Sequence, residues 1–269
     1  MSAFASTHHG DGMPSAALKP AAEWHGRPFL GVFLRELHGF LVAPVAWLFT
    51  VIFLVFAGAL TFYLGGWLER GQADLEPFFA FHPWLYLVLV PALAMRLWAE
   101  ERRSGTLELL LTLPIRPWQA VLAKFLAAWI YIGGALALTF PMWLTVNYLG
   151  NPDNGVILAG YIGSFLLAGA FLAISACLSA FTRSQVIAFI LAVTACFLLL
   201  LAGHPLVQGP LLALGSARVA DALGELSLLS HFGAISRGVL DFGDLAYFLL
   251  TIAFWLAANV MVLDARRGG

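Results

Sequence analysis

The chain has 269 residues, of which 61% are hydrophobic and only 11% charged, and its formal net charge is −1. Soluble domains run nearer half apolar and a quarter charged, so the composition points to a membrane protein. A near-neutral balance without long runs of like charge excludes a basic tract for nucleic acid, and no nucleic-acid partner is expected.

The N-terminal stretch MSAFASTHHGDGMPSAALKPAAEWHGRPF has no uninterrupted apolar run behind a basic start, so it does not read as a cleavable signal peptide. Residues 1–22 are expected to form a disordered cytoplasmic tail. Residues 23–43 read as an amphipathic helix. In FLGVFLRELHGFLVAPVAW, Phe29, Val32, Phe33, Leu37, Phe40 and Leu41 recur at spacings of three and four around Arg35, Glu36 and His38. That pattern suits a helix lying in the membrane interface. Pro44 then permits a bend into the first span; one long helix kinked at Pro44 is the alternative.

Uncharged runs follow: Leu37–Leu68, Phe78–Met95, Phe125–Pro152, Asn154–Thr182, Ser184–Ala217 and Leu245–Leu263. Each is close to or above the ~18 to 20 residues that cross a hydrocarbon core as helix. They lack the alternation of a barrel strand, so closed helices must satisfy the backbone. The expected fold is an all-α integral membrane protein with six transmembrane helices. Its six-span membrane domain covers residues 44–263, and residues 264–269 are expected to be a cytoplasmic tail.

Of the 14 Lys and Arg, an arrangement with both termini inside leaves only Arg70, Arg218 and Arg237 outside. Basic residues are retained in the cytoplasm, so both termini are assigned there. The loop GGWLERGQADLEPFFAFHPW is expected outside, with its Trp and Phe at the interface, and span two then runs from about Pro83 to Leu97. Spans three, about Trp118 to Asn147, and four, about Val156 to Phe181, are joined by the turn-forming YLGNPDNG. The short basic FTRSQ makes spans four and five a tight hairpin. Span four carries Gly160, Ser164 and Ala168, and also Ala159 and Gly163, at four-residue intervals, a pattern that favours close helix packing inside one subunit. Beyond span five, GHPLVQGPLLALGSARVADALGELSLLSHFGAISRGVLDFGD is too broken by Gly and Pro to cross again and too apolar for a plain loop. It reads as external re-entrant or interfacial helices.

Chemistry is sparse. No G-x-x-x-x-G-K-[ST] occurs, and neither Lys19 nor Lys124 follows a glycine, so any ATP is expected to be bound with Mg by another chain. No H-E-x-x-H, G-x-S-x-G or C-x-x-C is present, and Cys177 and Cys196 fall inside spans as small hydrophobes. No catalytic, metal or cofactor site is expected. His82 and Asn259 read as interfacial. The in-span polar residues, among them Thr139, Asn147, Ser164, Ser175, Ser179 and Thr194, read as helix-packing groups.

One interruption stands out, AEERRSGTLELLLTLPIRPWQAVLAKF from Ala99 to Phe125. Glu100, Glu101, Arg102 and Arg103 form a charged turn. Ser104 or Thr106 can cap a helix start, Glu108 suits the positive end of its dipole, and Pro114 stops it after about two turns, some ~12 Å at 1.5 Å per residue. Leu107, Leu110 and Leu111 lie on one side of that helix, Leu109 and Leu113 on a neighbouring one. So short a helix cannot bury that surface alone, which favours a groove in a partner over the headgroups.

EERRSGTLELLLTLPIRPWQAVLAK resembles the cytoplasmic segment between spans two and three of type-2 ABC transporter permeases, with matching positions Glu101, Gly105, Thr106, Glu108, Leu109, Leu110, Pro114 and Lys124. The resemblance implies a short cytoplasmic coupling helix that docks on the ATPase subunit. FLRELHGFLVAPVAW, with Arg35, Glu36 and Leu37, is similar to the family's elbow helix, and SLLSHFGAISRGVLDFGDLAYF to its external segment before span six. The closest branch resembles the small permeases of gliding-motility and copper-enzyme maturation systems, although the Met, Cys and His clustering that copper would need is absent. The implied function is an ATP-driven exporter or lipid extruder of the plasma membrane. A second permease copy, or a homologous permease, would face this chain, with two separately encoded ATPase subunits. A passive channel or scaffold without an ATPase is the rival.

Overall fold

The computed structural model describes residues 27–105, 116–213 and 217–267. Among them every regular element is helical. Helix α1 (Arg27–Val42) and helix α2 (Pro44–Ala59) are separated by Ala43, whose backbone is extended at φ −69° and ψ 118°. Pro44 opens α2 in its first turn, where no helix hydrogen bond needs its missing N–H. The bend is thus a break between two helices, and the single kinked helix does not form.

The π-helical turn Leu60–Leu64 and helix α3 (Trp67–Arg70) lead into α4 (Glu76–Ala94) and α5 (Arg96–Ser104). Next come α6 (Pro117–Ala137), α7 (Phe140–Leu149), α8 (Asn154–Ser179) and α9 (Gln185–Leu201). Three short helices, α10 (Pro205–Ala213), α11 (Ala217–Glu225) and α12 (Leu228–Ser236), precede α13 (Phe242–Arg267). Five helical stretches are long and apolar enough to cross a membrane: Pro44–Leu64, Glu76–Ser104, Pro117–Leu149, Asn154–Ser179 and Phe242–Ala265. The pair α9 and α10, bent by 58°, makes a sixth if counted as one span. The chain is a multi-pass membrane protein.

Span two differs from its expected form. It begins at Glu76, with Pro77 in its first turn, and tolerates Pro83 and Pro91 within α4. The Met95 N–H bonds to the Pro91 carbonyl oxygen at 2.8 Å, so helical hydrogen bonding runs on past Met95 and the span continues as α5. Phe78 and Phe79 are therefore fully buried in the core instead of facing an interface. The charged turn at Glu100–Arg103 is likewise helix, the body of α5.

Helix α8 is apolar on all sides and forms the axis of the bundle, with α4, α6, α9, α12 and α13 packed around it. Asp153 caps its start, accepting the Gly155 N–H at 2.8 Å. Its small residues face inward: Gly160 receives the ring of Phe79 and Gly163 the side chain of Ile235. Close packing within one subunit is what those four-residue intervals serve. Ser184 caps α9, leaving a connection of residues 180–184, as short as FTRSQ suggested. At the end of the bundle bearing α10–α12, His231 of α12 lies 2.6 Å from Asp244 of α13 and ties the two helices together.

His82 and Asn259 are not at exposed interfacial positions. Both are fully buried. His82 Nδ1 lies 2.7 Å from Ser164 Oγ among the rings of Phe53, Phe78, Phe79 and Tyr86. Thr139, Ser164, Ser175 and Ser179 are buried as well, while Asn147 pairs with Asn154 near the surface. The tail expected at residues 1–22, and residues 23–26 of the amphipathic segment, lie outside the described residues.

Candidate functional site

The end of the bundle where α1, α5 and the start of α6 meet carries a dense set of charges. Arg116 is the N-cap of α6, Pro117 its first residue, and the Gln119 side chain accepts the Arg116 N–H at 3.1 Å. Two turns on, Lys124 points into the protein and is 3% exposed. Its Nζ lies 2.8 Å from Glu101 Oε1 on α5 and 3.0 Å from Glu36 Oε1 on α1. It also sits 5.2 Å from the centre of the Trp98 ring, within cation–π range.

Arg35 completes the hub, 2.8 Å from Glu36 Oε1 and 3.6 Å from Glu101 Oε1. Two cations and two carboxylates balance, which is the condition for placing a lysine so deep. Burial pushes the Glu36 carboxyl up, but Lys124 and Arg35 outweigh it and hold the group below its ordinary value of 4.5.

Two further contacts fix α5 to the axis of the bundle. Arg102 donates to the Ala180 carbonyl oxygen at 2.7 Å, at the C-terminal end of α8 where the helix dipole favours a cation. The Trp98 N–H donates to Ser179 Oγ at 3.2 Å. Ser104 ends α5, its hydroxyl donating to the carbonyl oxygens of Glu100 and Glu101, and Gly105 is the left-handed C-cap at φ +74°. Both therefore belong to the close of span two, not to the body of the next helix.

Thr106, Leu107, Glu108, Leu109, Leu110, Leu111, Leu113 and Pro114 lie outside the described residues. What the structure gives is their frame. The segment 106–115 leaves from Gly105 and returns at Arg116, and the helices on either side are joined by the Glu101–Lys124 ion pair. Of the elbow positions, Arg35 and Glu36 enter the hub and Leu37 is half-buried on α1. The motifs pointed to Glu36, Glu101 and Lys124 separately; that they converge, with Trp98 as a fourth wall, carries no signal in local spacing.

Helix α1 packs along α6, with Phe40 stacked on Tyr131 at 5.5 Å and Val32 buried. Leu30, Leu34 and Leu41 remain exposed on the same helix. It thus has two apolar stripes, one against protein and one outward. Beneath it opens a cleft of about 310 Å³ between α1, α2, α4, α5 and α6, with Arg35, Arg96 and Glu100 at its mouth. Among the described residues no group of three or more His, Cys, Asp or Glu is placed to hold a metal ion.

A bundle of apolar spans gathered on one buried helix, with its charges concentrated in an ion-paired hub at one end, is the build of a polytopic membrane component. Residues 30–262 match the family described as ABC-2 family transporter protein, and the chain belongs to that family. It is accordingly a membrane permease component of an ABC transporter. A comparison with curated proteins returns no match.

Proposed function

We propose that the chain is the transmembrane subunit that converts ATP hydrolysis in a separately encoded ABC ATPase into movement of a hydrophobic or lipid-like substrate out of the cell. The observation that carries this reading is the hub. Lys124, Glu101 and Glu36 join the two helices that flank residues 106–115 to α1, so a push on that segment reaches spans two and three and the elbow together. In this reading the segment 106–115, which follows the helix end at Ser104 and Gly105, docks on the ATPase through Glu108 and its leucines. Two permease copies face each other with one ATPase each. ATP and Mg reside in the ATPase, and this chain holds no nucleotide site, in keeping with its lack of a phosphate loop. Both termini lie in the cytoplasm of a cell whose plasma membrane, the inner membrane in a bacterium, holds the protein.

The test is co-purification with an ABC ATPase followed by ATPase assay in proteoliposomes. Glu108→Arg or Leu110→Arg is expected to abolish permease-dependent stimulation while the permease keeps its size-exclusion profile. Full stimulation by such variants overturns the reading. Orientation is checked by thiol labelling: Leu107→Cys reacts from the cytoplasm only and Asn151→Cys from outside only, with Cys177 and Cys196 silent because both are buried.

A further inference from the structure

The cleft beneath α1 is amphipathic along its length. At the mouth stand Arg35 and Arg96, whose side chains are 58% and 40% exposed, and Glu100 at 48%. Deeper in, Phe40, Ala46, Phe49 and Leu93 give it an apolar wall. Phe49 and Leu93 also border a narrower space of about 40 Å³ that continues past Phe53 and Leu89 as far as Tyr86. From Leu97 to Tyr86 the helix rises about 16 Å at 1.5 Å per residue. That is close to one leaflet of a hydrocarbon core, about 15 Å.

We propose that this cleft seats one zwitterionic phospholipid from the leaflet facing the charged end, with its headgroup at the mouth and one acyl chain along the Phe49–Leu93 wall. The charges at the mouth favour that headgroup. Lys124, Glu36 and Glu101 are closed on one another in the hub and Arg35, though exposed, is balanced by the same two carboxylates, which leaves the Arg96–Glu100 pair, 2.9 Å apart and exposed. An exposed pair of this kind contributes little, so exchanging it for phosphate on Arg96 and ammonium on Glu100 costs little. A purely anionic headgroup would leave Glu100 without a partner. Gly39 lies at the exposed rim of the cleft, where an added Cβ meets nothing within 4 Å, so a large side chain there has room to reach over the seat. The outward stripe of Leu30, Leu34 and Leu41 places the same helix against lipid. The seat is a binding site on the permease and stands whether or not ATP moves a lipid.

The full chain is purified in a delipidating detergent and titrated with phosphatidylethanolamine, phosphatidylglycerol or inorganic phosphate, with bound lipid counted by native mass spectrometry. Wild type is expected to hold one phosphatidylethanolamine per chain in preference to phosphatidylglycerol, and to bind no phosphate alone. Gly39→Trp reaches over the seat and loses the lipid. Gly31→Trp, on the same helix with open space around it but away from the cleft, keeps it. Glu100→Gln loses the preference for the zwitterion. Should Gly39→Trp not be recovered folded, Gly39→Leu carries the same expectation. Equal lipid retention by wild type and the Gly39 variant, or equal binding of the two lipids by wild type, overturns the proposal.

Discussion

Lys124 on α6 and Glu101 on α5 meet at 2.8 Å, so the chain between them is a loop closed at its base by a buried ion pair. Removing the lysine leaves two enclosed carboxylates facing each other. Lys124→Met is expected to destabilise the permease by about 3 kcal/mol, the low end for a broken buried pair because Glu36 and Glu101 keep some contact with solvent. Adding Glu36→Gln and Glu101→Gln to that variant should restore much of the loss. Thermal unfolding in detergent measures both, and additive losses would show that the charges do not act as one unit.

The Glu36 carboxyl is held below 4.5 in the folded protein, so its contribution is present above that value and is lost as the pH falls further. Melting temperature followed downward from neutral pH should drop once the pH passes below about 4.5, the ordinary value. Glu36→Gln should be less stable at neutral pH and should flatten that part of the curve. A profile unchanged by the substitution would remove Glu36 from the hub's energetics.

His82 has one partner, Ser164, and its Nε2 finds none among the described residues. Ser164→Ala strands Nδ1 as well and is expected to cost about 1 to 3 kcal/mol. His82→Phe places an apolar ring among Phe53, Phe78 and Phe79 and should cost less than Ser164→Ala, since Ser164 can turn its hydroxyl to its own helix. Side-by-side melting curves of the two variants decide the order.

Glycines on two helices should respond oppositely. At Gly160 an added methyl collides with the Phe79 ring, so Gly160→Ala is expected to destabilise by about 1 to 3 kcal/mol. At Gly31 a methyl meets nothing within 4 Å, and alanine should stabilise α1 by about 0.5 to 1 kcal/mol. Equal shifts of melting temperature at both sites would contradict the packing of α4 on α8.

Much of the architecture was legible because hydrophobic length and helix punctuation are local properties. The uncharged runs marked the spans, Pro44 the break before α2, and the small residues of span four its role as a packing surface. Length counting placed the start of span two too late, at Pro83, because Glu76 and two prolines read as loop chemistry. In the fold Pro77 sits harmlessly in a first turn, and the buried rings of Phe78 and Phe79 outweigh the rest. The hub was half legible: motif resemblance singled out Glu36, Glu101 and Lys124, yet their meeting depends on how α1 lies along α6. His82 was misplaced for the same reason, since its partner Ser164 comes from another helix.

The wrapping of α8 bears on how the protein is made. That helix leaves the ribosome before α9, α12 and α13, which supply much of its cover. The element that ends most enclosed therefore enters the bilayer as one of the least sheltered. At Gly169 the ring of Trp129 comes from the earlier α6, whereas Ile252 comes from α13 and closes its side only when the last span arrives. Assembly of this bundle is thus finished from its C-terminal end, since α8 lacks the cover of α13 until residues 242–267 have been made.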